Sequence, residues 1–149
     1  MAGRYGLEIR AATSADAPGL AELFASVGPS VAPRLLAERL DVVLKQPGVV
    51  LIASEWGPPS GAIAVHWRRT LNADGPVARV DHLLVAPDAR RRGIGRLLLK
   101  AAAQSARSAR CATLELSTDG GEITLAAFCE ATGFSLVGRD YARPLRKGG

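Results

Sequence analysis

Apolar and polar residues alternate through Leu7-Glu8-Ile9-Arg10, which predicts a first strand. The spacing then changes. Leu20, Leu23, Phe24 and Val27 fall on one side of a helix. Thr13 or Ser14 caps it, Asp16 and Pro18 sit near its start, and Gly28-Pro29 ends it. A second helix is predicted from Pro33 to Gln46, with Leu35, Leu36, Leu40, Val43 and Leu44 as its apolar stripe and Pro47-Gly48 as its stop. Val49 to Ser54 and Ala62 to Trp67 are apolar runs on either side of a Gly57-to-Gly61 turn, and predict an antiparallel hairpin. A strand starting at Val77 follows the Asn72-to-Pro76 loop. It stops near Ala86, because Pro87 has no N–H for a sheet ladder. Helix formers fill Gly95 to Ser108, and Cys111 to Ser117 forms a fifth strand. Asp119-Gly120-Gly121 turns the chain into a helix over Glu122 to Thr132, stopped by Gly133. Phe134 to Gly138 and Tyr141 to Leu145 complete the pattern as a last strand pair. The order is β-α-α-β-β-β-α-β-α-β-β. It implies an α/β (α+β) fold: a mixed, mostly antiparallel sheet of about seven strands with helices on both faces.

The densest chemistry lies between Val80 and Leu99. A buried strand runs into a short loop with arginines at 90, 91, 92 and 96 and glycines at 93 and 95, and a helix follows. Amides at a helix start are unpaired, and the helix dipole favours an anion there. Glycine admits the anion to the backbone, and arginine supplies forked donors matched to phosphate oxygens. The local reading is a diphosphate cradle; a solvated basic turn is the plainer alternative. A dinucleotide fingerprint would need glycine at 98, where Leu98 stands, and no Gly-Lys-Ser or Gly-Lys-Thr of a P-loop occurs.

The remaining pattern, Arg90-x-x-Gly93-x-Gly95 after a strand ending Leu83-Leu84-Val85-x-Pro87, resembles motif A of the GNAT superfamily of N-acetyltransferases. Phe128-Cys129-Glu130-Ala131-Thr132-Gly133-Phe134 is similar to that family's Phe-Tyr-Glu-x-x-Gly-Phe segment, with cysteine in place of tyrosine. The resemblance is close over residues 77–134, and rests on the order of elements before that. It implies a single GNAT-like domain over residues 1–149 with acetyl-CoA as cosubstrate. Backbone groups of Leu83, Leu84 and Val85 would bind the pantetheine and the acetyl carbonyl. The loop Arg90, Arg91, Arg92, Gly93, Ile94, Gly95 and Arg96 would hold the pyrophosphate. In the family the strand carrying this motif splays from the next one and admits the pantetheine arm between them. An N–H near Val85 would then be the oxyanion donor, a contribution worth about 3 kcal/mol where one donor has been removed from an enzyme. The helical N-terminal region would line the acceptor side.

Transfer of acetyl to an amine also needs a group that takes the amine's proton and a group that serves the departing thiolate. Asp81, His82 and Glu115 are the candidates for the first. Asp81 and His82 are neighbours on one strand, so they face opposite sides unless a bulge intervenes. Each has a plainer reading: Asp81 paired with an arginine such as Arg79, Glu115 facing solvent or a helix, His82 as a hydrogen-bonded core residue. For the thiolate, Cys129 stands where the family has tyrosine, and Tyr141 on a late strand is the substitute. Cys129 also reads as a small buried apolar residue. Glu122 stands where many relatives have an asparagine that contacts CoA, a second departure.

Composition narrows the rest. The chain has 149 residues, enough for one domain with an adequate core. No apolar run approaches the roughly 18 residues of a membrane span, and no apolar leader is visible after Met1. Cys111 and Cys129 have no metal-ligand spacing, so a metal site is not expected and a reducing cytoplasm is. The net charge of +5 is concentrated in the glycine loop and near the end, at Arg139, Arg143, Arg146 and Lys147. Aromatic residues do not alternate with the basic ones, which argues against a nucleic-acid surface. The expected partners are acetyl-CoA and an amine acceptor, with neither nucleic acid nor membrane; a homodimer is left open. A catalytically weak acyl-CoA-binding module is the rival reading.

Overall fold

The computed structural model describes residues 6–90, 92–117, 128–137 and 142–145. Two compact units divide the chain, Met1–Ser117 and Thr118–Gly149. The first holds five strands in sequential order: β1 (Glu8–Ala11), β2 (Gly48–Ser54), β3 (Gly61–Arg68), β4 (Val77–Val85) and β5 (Thr113–Leu116). The first three pairings are antiparallel, and β4 with β5 is parallel. The crossover between the parallel pair is the helix α3 (Ile94–Ser108). Two further helices, α1 (Ala17–Val27) and α2 (Pro33–Val43), precede the hairpin.

Helices cover both faces of the sheet. Leu20, Leu23, Leu36 and Leu40 of α1 and α2 share a buried cluster with Val50, Ile52 and Ala62. Side chains alternate along a strand, so Gly61 addresses the other face. A Cβ placed on it would meet Ile94 and Leu98 of α3. Ile52, Ile63, Ile94 and Leu98 are the largest side chains fully withdrawn from solvent. That places the core on both sides of β2 and β3.

The start of α1 is tied to β1. Asp16 accepts both guanidinium nitrogens of Arg10, at 2.6 and 2.8 Å, and the Thr13 amide at 2.8 Å. The bonds from Arg10, then the Thr13 amide, hold the Asp16 carboxyl below its ordinary range, although burial opposes them. Asp16→Asn is expected to cost about 1–2 kcal/mol, kept modest because Arg10 remains partly solvated. A depressed carboxyl pKa adds stability above its unfolded value and loses it as pH falls through the folded one. In urea melts, the gap between wild type and variant should therefore be full near neutrality and close in acid.

Among the described residues the second unit holds helix over residues 128–131; the earlier part of the predicted Glu122-to-Thr132 helix lies outside the described residues. Gly133 stops the helix as predicted: the Gly133 amide bonds back to Glu130 O at 3.3 Å and the Phe134 amide to Cys129 O at 2.9 Å. The expected seven strands are corrected to five among the described residues. Residues 134–137 and 142–145 carry no ladder. Leu136, Val137 and Leu145 are exposed, so no apolar face is buried there to hold a strand. Between them, residues 138–141 lie outside the described residues.

Candidate functional site

After β4 the chain makes a single 3-10 turn, Pro87–Ala89, with Ala89 buried beneath it. Arg90 is extended. Gly93 then takes a left-handed conformation, φ 77°, which glycine adopts at no steric cost, and α3 begins. The first intrahelical bond runs from the Leu97 amide to Gly93 O at 3.1 Å. The amides of Ile94, Gly95 and Arg96 precede it, and Gly93 has no side chain to cap them. A Cβ on Gly93 would meet nothing within 4 Å. Among the described residues no side chain caps the positive end of α3. The Ile94 side chain is in the core, so only its backbone serves the loop. Arg96 is exposed. Arg90 donates its Nε–H to Val85 O at 3.5 Å, and Arg92 forms an ion pair with Glu55 of the β2–β3 turn. Arg91 lies outside the described residues.

Beside this loop the described β4–β5 pairing stops short, leaving a gap among the described residues. The β4–β5 ladder runs only from Val77↔Thr113 to Val80↔Leu116. On that side, no described strand pairs with residues 81–85. The Ala86 amide bonds to Ser60 O at 2.8 Å, toward β3. Backbone groups alternate in direction along a strand, so the N–H groups of Leu83 and Val85 point away from β3, into the gap. Leu83, Leu84 and Val85 are all partly exposed.

A bulge sits at the head of that gap. Ala64 pairs with His82 and Val65 with Val80, leaving Asp81 as an extra residue on β4. This is the condition under which Asp81 and His82 address one face. His82 lies across from Ala64, a residue packed on the α1–α2 cluster. Its ring meets Phe24 of α1 edge-on at 5.1 Å. His66, two residues beyond Ala64, shares that face and bonds through Nδ1 to Asp81 Oδ2 at 2.7 Å. Arg79 pairs with His66 on one side and Glu115 on the other. Its guanidinium bonds to Glu115 Oε1 at 3.4 Å and to Ser117 Oγ. The carboxylate partners thus differ from the plainer sequence reading: Asp81 is held by His66, and Arg79 holds Glu115. His66 was not singled out from sequence. Counting the hairpin register from the β3–β4 loop would bring it beside Asp81 only if the extra residue were known.

His66 and Asp81 line a shallow cleft of about 90 Å³ with Val43, Leu44, Pro47 and Val50. Among the described residues no cluster of three or more histidine, cysteine or acidic side chains could hold a metal, and no helix is long and apolar enough to cross a membrane.

The family model described as the acetyltransferase (GNAT) family matches residues 18–134. The chain belongs to the GNAT acetyltransferase family. No curated protein matches it. Among solved structures, a putative acetyltransferase from Agrobacterium tumefaciens is similar at TM-score 0.81 and 26% identity, over 92% of this chain and 99% of that one. Glucosamine-6-phosphate N-acetyltransferase from Arabidopsis thaliana gives 0.81 at 17% identity, over 94% and 99%. The aminoglycoside N-acetyltransferase AAC(6')-Iy in complex with CoA gives 0.82 at 18% identity, over 94% and 95%.

In this GNAT chain the cysteine that replaces the family tyrosine is buried in the second unit. Burial, then the charge of Glu130, pushes the Cys129 thiol up. Tyr141 and Glu122 lie outside the described residues.

Proposed function

We propose that this chain is an acetyl-CoA-dependent N-acetyltransferase that moves the acetyl group to a primary amine by direct attack in a ternary complex, with residues 1–149 as one catalytic domain. The observation that carries the reading is the gap beside β4: inward-pointing amides at Leu83 and Val85 lie next to an uncapped helix start. The pyrophosphate lies on the loop of Arg90 to Arg92, Gly93, Ile94, Gly95 and Arg96, held by amides and guanidinium groups. The pantetheine arm runs along Leu83, Leu84 and Val85 as a substitute strand. The N–H of Leu83 or Val85 takes the charge that develops on the thioester oxygen. The acceptor approaches on the α1–α2 face, where Asp81 and His82 stand and Glu115 is held by Arg79. Cys129, its thiol kept protonated by burial, or Tyr141 gives the departing sulfur its proton. Free thiols at Cys111 and Cys129 support a reducing, cytoplasmic setting.

Thiol release from acetyl-CoA across a panel of amines tests the reading. CoA is expected to raise the melting temperature, and at least one amine to release thiol. No response to CoA would overturn the whole assignment. Stabilisation by CoA without turnover on any amine would favour the acyl-CoA-binding module, whose support is the missing tyrosine.

A further inference from the structure

We propose that His66 is the group that takes the acceptor's proton and that Asp81 is the residue that orients it. This rests on the acetyltransferase reading and names a base that no motif marks. Asp81 Oδ2 sits 2.7 Å from His66 Nδ1. A neutral imidazole that donates from Nδ1 carries its lone pair at Nε2, so the carboxylate fixes the ring as a base. The bulge makes this contact: Asp81 is the extra residue, and it directly follows Val80, the last β4 residue paired with β5. Asp81 therefore stands at the head of the gap that is to receive the thioester, with His66 beside it on β3.

Both side chains are reachable, with 36% of His66 and 40% of Asp81 exposed. Among the described residues they are the only titratable groups lining the cleft; Val43, Leu44 and Gln46 from the end of α2 and its following turn are uncharged. The charged groups on the neighbouring strands are Arg79, directly across from His66, and Glu115, to which the Arg79 guanidinium bonds. The other candidates are engaged differently: His82 lies against Phe24, and Glu115 is held by Arg79.

The step balances as follows. His66 Nε2 takes one proton from the ammonium. The freed lone pair forms the N–C bond at the thioester carbonyl. As the C–S bond breaks, its electron pair leaves on sulfur. A second proton departs the nitrogen and ends on that sulfur, so CoA leaves as the thiol. The imidazolium, its charge offset by Asp81, returns its proton to solvent.

Steady-state kinetics from pH 5 to 9, with an amine found by the panel above, test this on wild type, His66→Gln, His66→Ala and Asp81→Asn. CoA affinity is measured calorimetrically on each. His66→Gln is expected to lower kcat about a hundredfold with CoA affinity unchanged, and to lose the rise of kcat/KM with pH. Asp81→Asn should keep that rise and lower kcat by less than His66→Gln does, because the ring loses the contact that orients it. Added imidazole should partly restore His66→Ala, which a purely structural role would not allow. Wild-type kcat and an unaltered pH profile in His66→Gln would overturn the proposal. So would loss of turnover in Asp81→Asn alone, which would make the carboxylate the base. A wild type that binds no CoA would instead remove the acetyltransferase reading beneath it. Should His66→Gln not fold, imidazole rescue of His66→Ala decides the matter.

Discussion

Replacing Gly93 with aspartate is expected to weaken CoA binding by about a hundredfold or more. Two effects combine. The left-handed φ of 77° at Gly93 costs a residue with a Cβ about 1 kcal/mol. A carboxylate then lies beside the first-turn amides, in the space proposed for the diphosphate. Two like charges about 5 Å apart, at the effective dielectric of a protein surface, repel by about 3 kcal/mol. Overpacking plays no part, since nothing lies within 4 Å of the added Cβ. Gly93→Ala carries the backbone cost alone, so it should lose less than about tenfold. Calorimetric titration with CoA compares the two. Equal affinity in the aspartate and alanine variants would remove the cradle.

Gly61→Val should act through packing. A Cβ at Gly61 would lie 2.8 Å from the Leu84 carbonyl oxygen, 3.0 Å from Ile94 Cγ2 and 3.1 Å from Leu98 Cδ1. The first is backbone and the other two belong to side chains fully withdrawn from solvent. None can swing aside. The start of α3 must lift from the sheet, or β3 must part from β4 opposite Val85. We expect a loss of about 1–3 kcal/mol in urea unfolding. CoA affinity should also fall in the protein that remains folded, because the same helix start is the proposed seat of the phosphates. Wild-type stability in this variant would show that α3 does not depend on that close approach.

Much of the fold was legible because its punctuation is chemical. Pro47-Gly48 and Pro87 end elements within a few residues of where the structure does, and Gly93 immediately precedes α3. Differences arise where local rules compete. Helix α2 ends at Val43 rather than Gln46, since the Lys45 and Gln46 amides tighten onto Val42 and Val43 carbonyls at 3.2 and 3.0 Å. Ser14–Asp16 forms a 3-10 turn before α1, because the Asp16 carboxylate is drawn to Arg10 and the Thr13 amide. The conformation of the loop was legible in its glycines, while the contacts of the candidate acid–base groups were not. A period of two cannot reveal an inserted residue, so neither the bulge at Asp81 nor its contact with His66 shows in the pattern. The predicted last hairpin rested on apolar residues, Leu136 and Val137, that are instead exposed.

The ion pair between Arg92 and Glu55 changes how the basic run meets its environment. This guanidinium already has a resident counter-anion, so an incoming phosphate must displace a carboxylate rather than fill bare positive space. The net gain is the difference between two pairings, and dissolved salt weakens both. A stray polyanion that offers only charge finds less to grip than three consecutive arginines suggest. A ligand that also meets the backbone amides of the bend keeps its advantage.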